Sequence, residues 1–434
     1  MRLQSRDPRS RDQQSPSLKW PSRERGNSSR GGQSQRDRHP YIRSLIGGEH
    51  LLAIVLSFAT VTNLVGVPAL WALLGVQFVA PSLTLAIILS SVFITLYSTY
   101  TWSLRNVSKE SLVFSLFLLI ELISRFIDPG EGERGHTTSA AVSLIAFFGI
   151  AVAMTSSGGR SGILRGIKLS VLVSFGIFTI EIVFLPEFFS SAPGRVSGLF
   201  GNPNFAAAVM TGCLALLLSA RRGRLSRFDW MLVVLVTLAV LLTASRAGIV
   251  AIALIVIWWA SSRYSARSVV LGTLAAAFSA LGIALLLIAL DQSNSLEFEA
   301  AYRIRSILTG FESGDDSTAA RVDAAQYSWI LITENPSGLG AGASKSSLMF
   351  QGPHNMFLAF TLDFGWGWGG AYVLFWALLG ALAFFSRSRS LRRQLLWIWM
   401  TVAFLSSHNM HDAAPVAVVA VGLAVARQNE MFRG

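Results

Sequence analysis

A single cysteine in 434 residues removes two kinds of chemistry at the outset. Cys213 has no partner for an intramolecular disulfide, and no thiolate metal cluster can be assembled around it. Charge is scarce as well: Asp, Glu, Lys and Arg make up 14% of the chain against 52% hydrophobic residues. That balance excludes an ordinary soluble domain and implies a polytopic membrane protein. Acid is the scarcer sign, at 24 residues against 36 Lys and Arg, for a net charge of +12. No cleavable leader is expected either, because residues 1–43 are polar and basic and lack an apolar stretch.

Residues 1–43, rich in Arg, Ser, Gln, Gly and Pro, cannot bury enough surface to fold and read as a disordered basic cytoplasmic tail. Their charge suits orientation beside an anionic membrane surface, with partner binding as the sharper alternative; no nucleic-acid partner is expected. Residues 44–434 read as one polytopic membrane domain. A crossing helix needs about 20 apolar residues. Runs of that kind fall at 51–76, 81–100, 111–127, 138–157, 168–188, 204–220, 229–243, 246–260, 269–290, 354–385, 394–407 and 414–427, which predicts an all-α protein with about twelve transmembrane helices. Pro68 is a candidate kink in the first run, and "DFGWGWGG" a candidate break in the tenth.

Lys and Arg should gather in cytoplasmic loops. With the N-terminus inside, the outer segments hold only Arg134, Arg195, Arg246, Arg303, Arg305, Arg321 and Lys345; Arg125 lies near the end of the third run, and the rest are inner. Both termini are then cytoplasmic. "SGLFGNPNFA" (197–206), "TASRAG" (243–248), the long loop 291–352, "GPHN" (352–355) and "SSHNMHD" (406–412) share the outer face. A transport pathway would instead leave ionisable groups near mid-membrane, where only Glu121, Glu181 and Asp363 are candidates. Chemistry is therefore expected at the outer interface.

Ser245 is a plausible N-cap, which puts Arg246 in the first turn of a helix, where free backbone N–H groups and the helix dipole already favour an anion. Adding a guanidinium makes a phosphate site. The plainer reading is an arginine snorkelling to headgroups. In the long loop, 315–342 reads as a helix capped by Ser317 or Thr318 and ended by Pro336, Gly338 and Gly340, with Arg321 in its first turn. His354 would start the tenth run among cations, which disfavour imidazolium and leave a neutral ring able to accept a proton. Asn355 would fix the local backbone or bind a polar ligand. Asn202 and Asn204 are supporting candidates in a turn with Asn caps. His408 and His411, with Asp412, are an i, i+3 pair open to a polar role near an acceptor, a metal site or interfacial structure; a third ligand for zinc is not evident, so no metal is expected.

Two arginines and a neutral histidine suit displacement of a glycan from a lipid pyrophosphate by a hydroxyl. The diphosphate leaving group needs charge neutralisation, and the hydroxyl benefits from a base. In order along the chain, "GLFGNPNFAA", "LLTASRAG", the Arg321-to-Trp329 helix with "ENPSGLGAG", and "PHNMFLAFTLDFGWGWGG" resemble the O-antigen ligase and polymerase superfamily over roughly residues 195–385. That resemblance implies a GT-C-type helical glycosyltransferase of the bacterial cytoplasmic membrane, inverting and without a cofactor or essential metal. The donor would be a glycan on undecaprenyl or a related polyprenyl pyrophosphate. By the same resemblance Arg246 and Arg321 hold the donor pyrophosphate, and His354 stands beside the acceptor hydroxyl; the modest outer loop favours a glycan or glycolipid acceptor over a protein. Ligases, polymerases and protein O-oligosaccharyltransferases share these elements and differ in the acceptor. A transporter of a lipid-linked or anionic substrate is the rival from another class.

Overall fold

The computed structural model describes residues 40–62, 79–100, 107–127, 134–184, 189–190, 195–220, 225–265, 316–345, 352–386, 390–407 and 409–431. Among them there is no strand. The helices are α1 (Pro40–Val61), α2 (Val79–Tyr100), α3 (Lys109–Ile127), α4 (Arg134–Ala153), α5 (Ser157–Phe184), α6 (Pro203–Ala220), α7 (Arg227–Leu242), α8 (Arg246–Ser261), α9 (Asp316–Glu334), α10 (Met356–Phe385), α11 (Leu391–Ser406) and α12 (Ala413–Met431). The described parts of the apolar runs read from the sequence are helical except for a few residues at their ends, such as 154–156 and 354–355; the run at 269–290 and Pro68 lie outside the described residues.

Two of these helices, α5 and α10, are long and apolar enough to cross a membrane by length and composition. Side-chain placement points the same way. On α3, Leu112, Leu116, Leu119 and Ile123 face outward while Glu121 and Arg125 are buried, the reverse of a helix in water. On α2 the exposed residues Leu85, Leu89, Phe93 and Leu96 form one stripe at helical spacing. An apolar outer surface of this extent fits a hydrocarbon solvent.

The interior is built by α4 against α2, α3 and α12, and by α6 against α7, α8, α11 and α12. Small residues let the helices approach closely: the Trp399 indole lies over Gly212 and donates to the Ala208 carbonyl at 2.7 Å. α11 also packs on α8 and α10, and α9 rests on α10.

α10 is a folded-back pair of helices. Gly365 has φ 79° and ψ 177°, a conformation essentially reserved for glycine. Beyond it the chain returns along itself: the Phe360 and Tyr372 rings stack at 4.7 Å, and Phe357 meets Trp376 at 5.4 Å. In a continuous helix those pairs would stand roughly 18 and 28 Å apart. "DFGWGWGG" therefore interrupts the tenth run as expected, but as a reversal rather than a kink. The short arm 356–364 and the long arm 366–385 form a hairpin, and only the long arm has the length of a crossing.

The loop after α9 locks that reversal. Leu339 N–H donates to Leu362 O at 2.9 Å, Gly340 N–H to Asp363 O at 3.0 Å, and Trp366 N–H to Pro336 O at 3.0 Å. Gly338 and Gly365 meet backbone to backbone, so that a Cβ on Gly338 would stand 2.6 Å from Gly365 N. Gly365→Ala is expected to lower the thermal unfolding midpoint in detergent well below that of Gly367→Ala, whose added methyl meets nothing within 4 Å. Equal midpoints would show that the reversal tolerates a side chain.

Candidate active site

Two loop-to-helix junctions are built alike. Ser245 is extended and caps α8, its Oγ accepting from Gly248 N–H at 3.3 Å. Asn355 is extended and caps α10, its Oδ1 accepting from Phe357 N–H at 2.9 Å and Leu358 N–H at 3.2 Å. The residue before each cap is left-handed: Ala244 has φ 48° and His354 φ 47°, and these are the only non-glycine residues with positive φ among the described ones. An L-residue there costs roughly 1–2 kcal/mol. Strain of this kind persists where neighbours over-determine it, and it gathers at functional loops.

Arg246 is the first residue of α8, as the sequence suggested, which sets its backbone at the positive end of the helix dipole. Arg321 lies differently from the expectation. α9 starts at Asp316, so Ser317 and Thr318 are inside the helix and Arg321 sits in its second turn, away from any capping role. The predicted stop holds, with α9 ending at Glu334 and Asn335 N–H closing onto Leu331 O at 2.9 Å. Ile332 of α9 and Leu362 of the short arm share a small apolar cluster with Leu331, Leu339 and Leu358.

That packing brings Arg321 within electrostatic reach of His354. His354 is half-buried just before α10. Burial first, and then the Arg321 charge, pull its pKa below the ordinary histidine value of 6.5. The expected neutral imidazole therefore has a physical basis in this geometry.

The asparagines have defined jobs. Asn202 Oδ1 accepts from Asn204 N–H at 2.9 Å and Phe205 N–H at 3.2 Å, opening α6. Asn204 Oδ1 accepts from the Arg195 guanidinium at 3.0 Å. His408 lies outside the described residues. His411 is buried, with Nδ1 donating to Glu121 Oε2 at 2.6 Å and Nε2 paired with the Tyr372 hydroxyl at 2.9 Å. Both ring nitrogens are thereby engaged inside the protein. Asp412 stands 3.7 Å from Lys345, and no group of three metal-ligating side chains converges among the described residues.

The acids read as mid-membrane candidates all accept hydrogen bonds within the protein. Glu121 also takes Arg125 at 2.7 Å. Glu181 takes Ser197 and Gly198 N–H at 3.0 and 2.6 Å. Asp363 takes Gly342 N–H at 3.1 Å and Ser344 N–H at 2.8 Å, pinning the glycine-rich loop to the short arm. Sequence reasoning counted Arg195 only as an outer cation, yet it joins the "GNPN" and "TASR" segments. The available signal was its position immediately before "VSGLFGNPN".

Residues 231–371 match the family model described as O-Antigen ligase, which bears out the resemblance over that region. Ser245, Arg246, Arg321, His354 and Asn355 fall inside the matched span, whereas Arg195, Asn202, Asn204, Glu121 and His411 lie outside it. No curated protein matches the chain.

Proposed function

We propose, with that O-antigen-ligase region as premise, that this membrane protein moves a glycan from a polyprenyl pyrophosphate to a hydroxyl acceptor. The observation that carries the reading is the Arg321 charge on α9 acting on a partly buried His354 just before the cap of α10, where burial first and that charge second favour the unprotonated ring. A cation beside a ring that stays unprotonated is what a diphosphate leaving group and a hydroxyl nucleophile require together.

In the proposed step the acceptor oxygen attacks the anomeric carbon, and the bond from that carbon to the phosphate oxygen breaks. The bonding pair leaves with the polyprenyl diphosphate, and the acceptor proton passes to His354. Arg246 and Arg321 offset the charge gathering on the diphosphate, so neither a metal nor a cofactor is needed. A single displacement inverts the anomeric centre. Asn202, Asn204, Asn355 and Ser245 hold the loops that border this space, and His408 is proposed on the acceptor side. The twelve-crossing GT-C arrangement, both termini cytoplasmic with the tail 1–43, and a site on the outer face of the bacterial cytoplasmic membrane complete the reading. A glycan or glycolipid acceptor, as for an O-antigen ligase, suits a loop of modest length.

Purified protein in vesicles, supplied with a polyprenyl-pyrophosphate glycan and candidate acceptors in EDTA, is expected to form a new glycosidic bond. Arg246→Ala and Arg321→Ala should each lower that rate by about 100- to 1,000-fold, the usual effect of removing one oriented donor to a developing anion. Substrate crossing sealed vesicles without bond formation would favour a transporter instead.

A further inference from the structure

Arg195 is buried, with 6% of its surface exposed, three residues before the short turn Gly198–Phe200. Its guanidinium spans two elements. Nε–H donates to the Thr243 carbonyl at 2.9 Å, and a terminal N–H donates to Asn204 Oδ1 at 3.0 Å. The next residue, Val196, donates its N–H to Leu242 O at 3.5 Å. The last carbonyls of α7 therefore receive donors from a separate part of the chain, and a cation at that end complements the helix dipole.

Ala244, the next residue, has the left-handed backbone. The surrounding bonds converge on it: Ala244 N–H donates to Leu241 O at 3.0 Å, Ser245 N–H to Thr243 Oγ1 at 3.3 Å, and Thr243 Oγ1–H to Val240 O at 2.7 Å. Those contacts are local to the α7–α8 turn, whereas Arg195 anchors the turn to the start of α6. The direction of the chain through Ala244 decides where α8 begins and hence where Arg246 points.

We propose that Arg195 is a positioning residue, whose two-armed guanidinium locks the left-handed turn at Ala244 and thereby aims Arg246 at the donor diphosphate. This rests on the proposed role of Arg246. A lysine cannot reproduce it, because one ammonium on a flexible stem lacks the planar fork that meets two acceptors in fixed directions.

Transfer kinetics of the full-length protein in vesicles test the idea. Arg195→Lys is expected to raise KM for the lipid-pyrophosphate donor by about 10-fold while KM for the acceptor stays put, an order-of-magnitude loss for one displaced donor. Adding Ala244→Gly should bring the donor KM part of the way back, since glycine takes the left-handed turn without an external clamp. A purely structural arginine would lower the folded fraction, and so the apparent kcat, without moving donor KM. An unchanged donor KM in Arg195→Lys, or no recovery with Ala244→Gly, overturns the proposal. Should Arg195→Lys fail to insert, Ala244→Val keeps the arginine but opposes the turn, and the same rise in donor KM is expected; wild-type KM there would overturn it equally. Arg246→Gln separates the two levels. If it retains full transfer, the functional reading fails; if it loses transfer while Arg195→Lys keeps wild-type donor KM, only the positioning role fails.

Discussion

His354→Ala is expected to insert and fold like the wild type while transferring glycan about 100- to 10,000-fold more slowly, the range for losing a positioned general base. Folding should survive because His354 is half-buried and precedes the cap of α10, which Asn355 supplies. The pH profile makes the test specific. A base works when neutral, so wild-type activity should be full above the pKa of His354 and fall as pH drops through it. Burial first, and the Arg321 charge second, lower that pKa from 6.5 in the free protein, so the acid limb of kcat/KM should lie below 6.5. The alanine variant should keep its residual rate with that limb gone. Stability follows the same sign: below pH 6.5 the unfolded chain takes up the proton more readily than the folded one, so stability declines with falling pH and His354→Ala lessens the decline. An acid limb unchanged in His354→Ala would remove the histidine from the chemistry.

What could be read beforehand was local. Helical runs follow from uninterrupted apolar residues, and Ser245 before Arg246 marks a helix start because a hydroxyl there meets a backbone N–H within three residues. The break in "DFGWGWGG" was legible from its glycines, but the reversal was not, since it depends on Gly338 lying against Gly365 from a loop on another element. The start of α9 differs by one or two residues from the cap reading: Ser317 and Thr318 are good caps by type, and the helix runs from Asp316. Arg195 offered only its place before "VSGLFGNPN", because one of its two acceptors is the C-cap carbonyl of Thr243, 48 residues further on. Pattern locates residues on elements, while only packing decides which polar ends meet.

The longest such meeting carries the other large expected effect: Glu121→Leu should destabilise the protein by about 3–5 kcal/mol, as does removal of one member of a buried ion pair. Glu121 and Arg125 are neighbours on α3 at 2.7 Å, and His411, 290 residues from Glu121, holds its other carboxylate oxygen at 2.6 Å. Tyr372 extends the chain from the His411 ring to the long arm of α10. Its ring stacks on Phe360 of the short arm, so the network also braces the hairpin leading back to His354. Glu121→Leu leaves Arg125, 3% exposed, as a buried charge without its carboxylate. Glu121→Leu with Arg125→Leu removes that charge and should recover about half of the loss, leaving about 1–3 kcal/mol for the His411 N–H deprived of an acceptor. Thermal midpoints in detergent for the two single variants and the double complete the cycle. If the double is no more stable than Glu121→Leu, the cost comes from repacking α3 rather than from the stranded guanidinium, and the network does not brace the hairpin electrostatically.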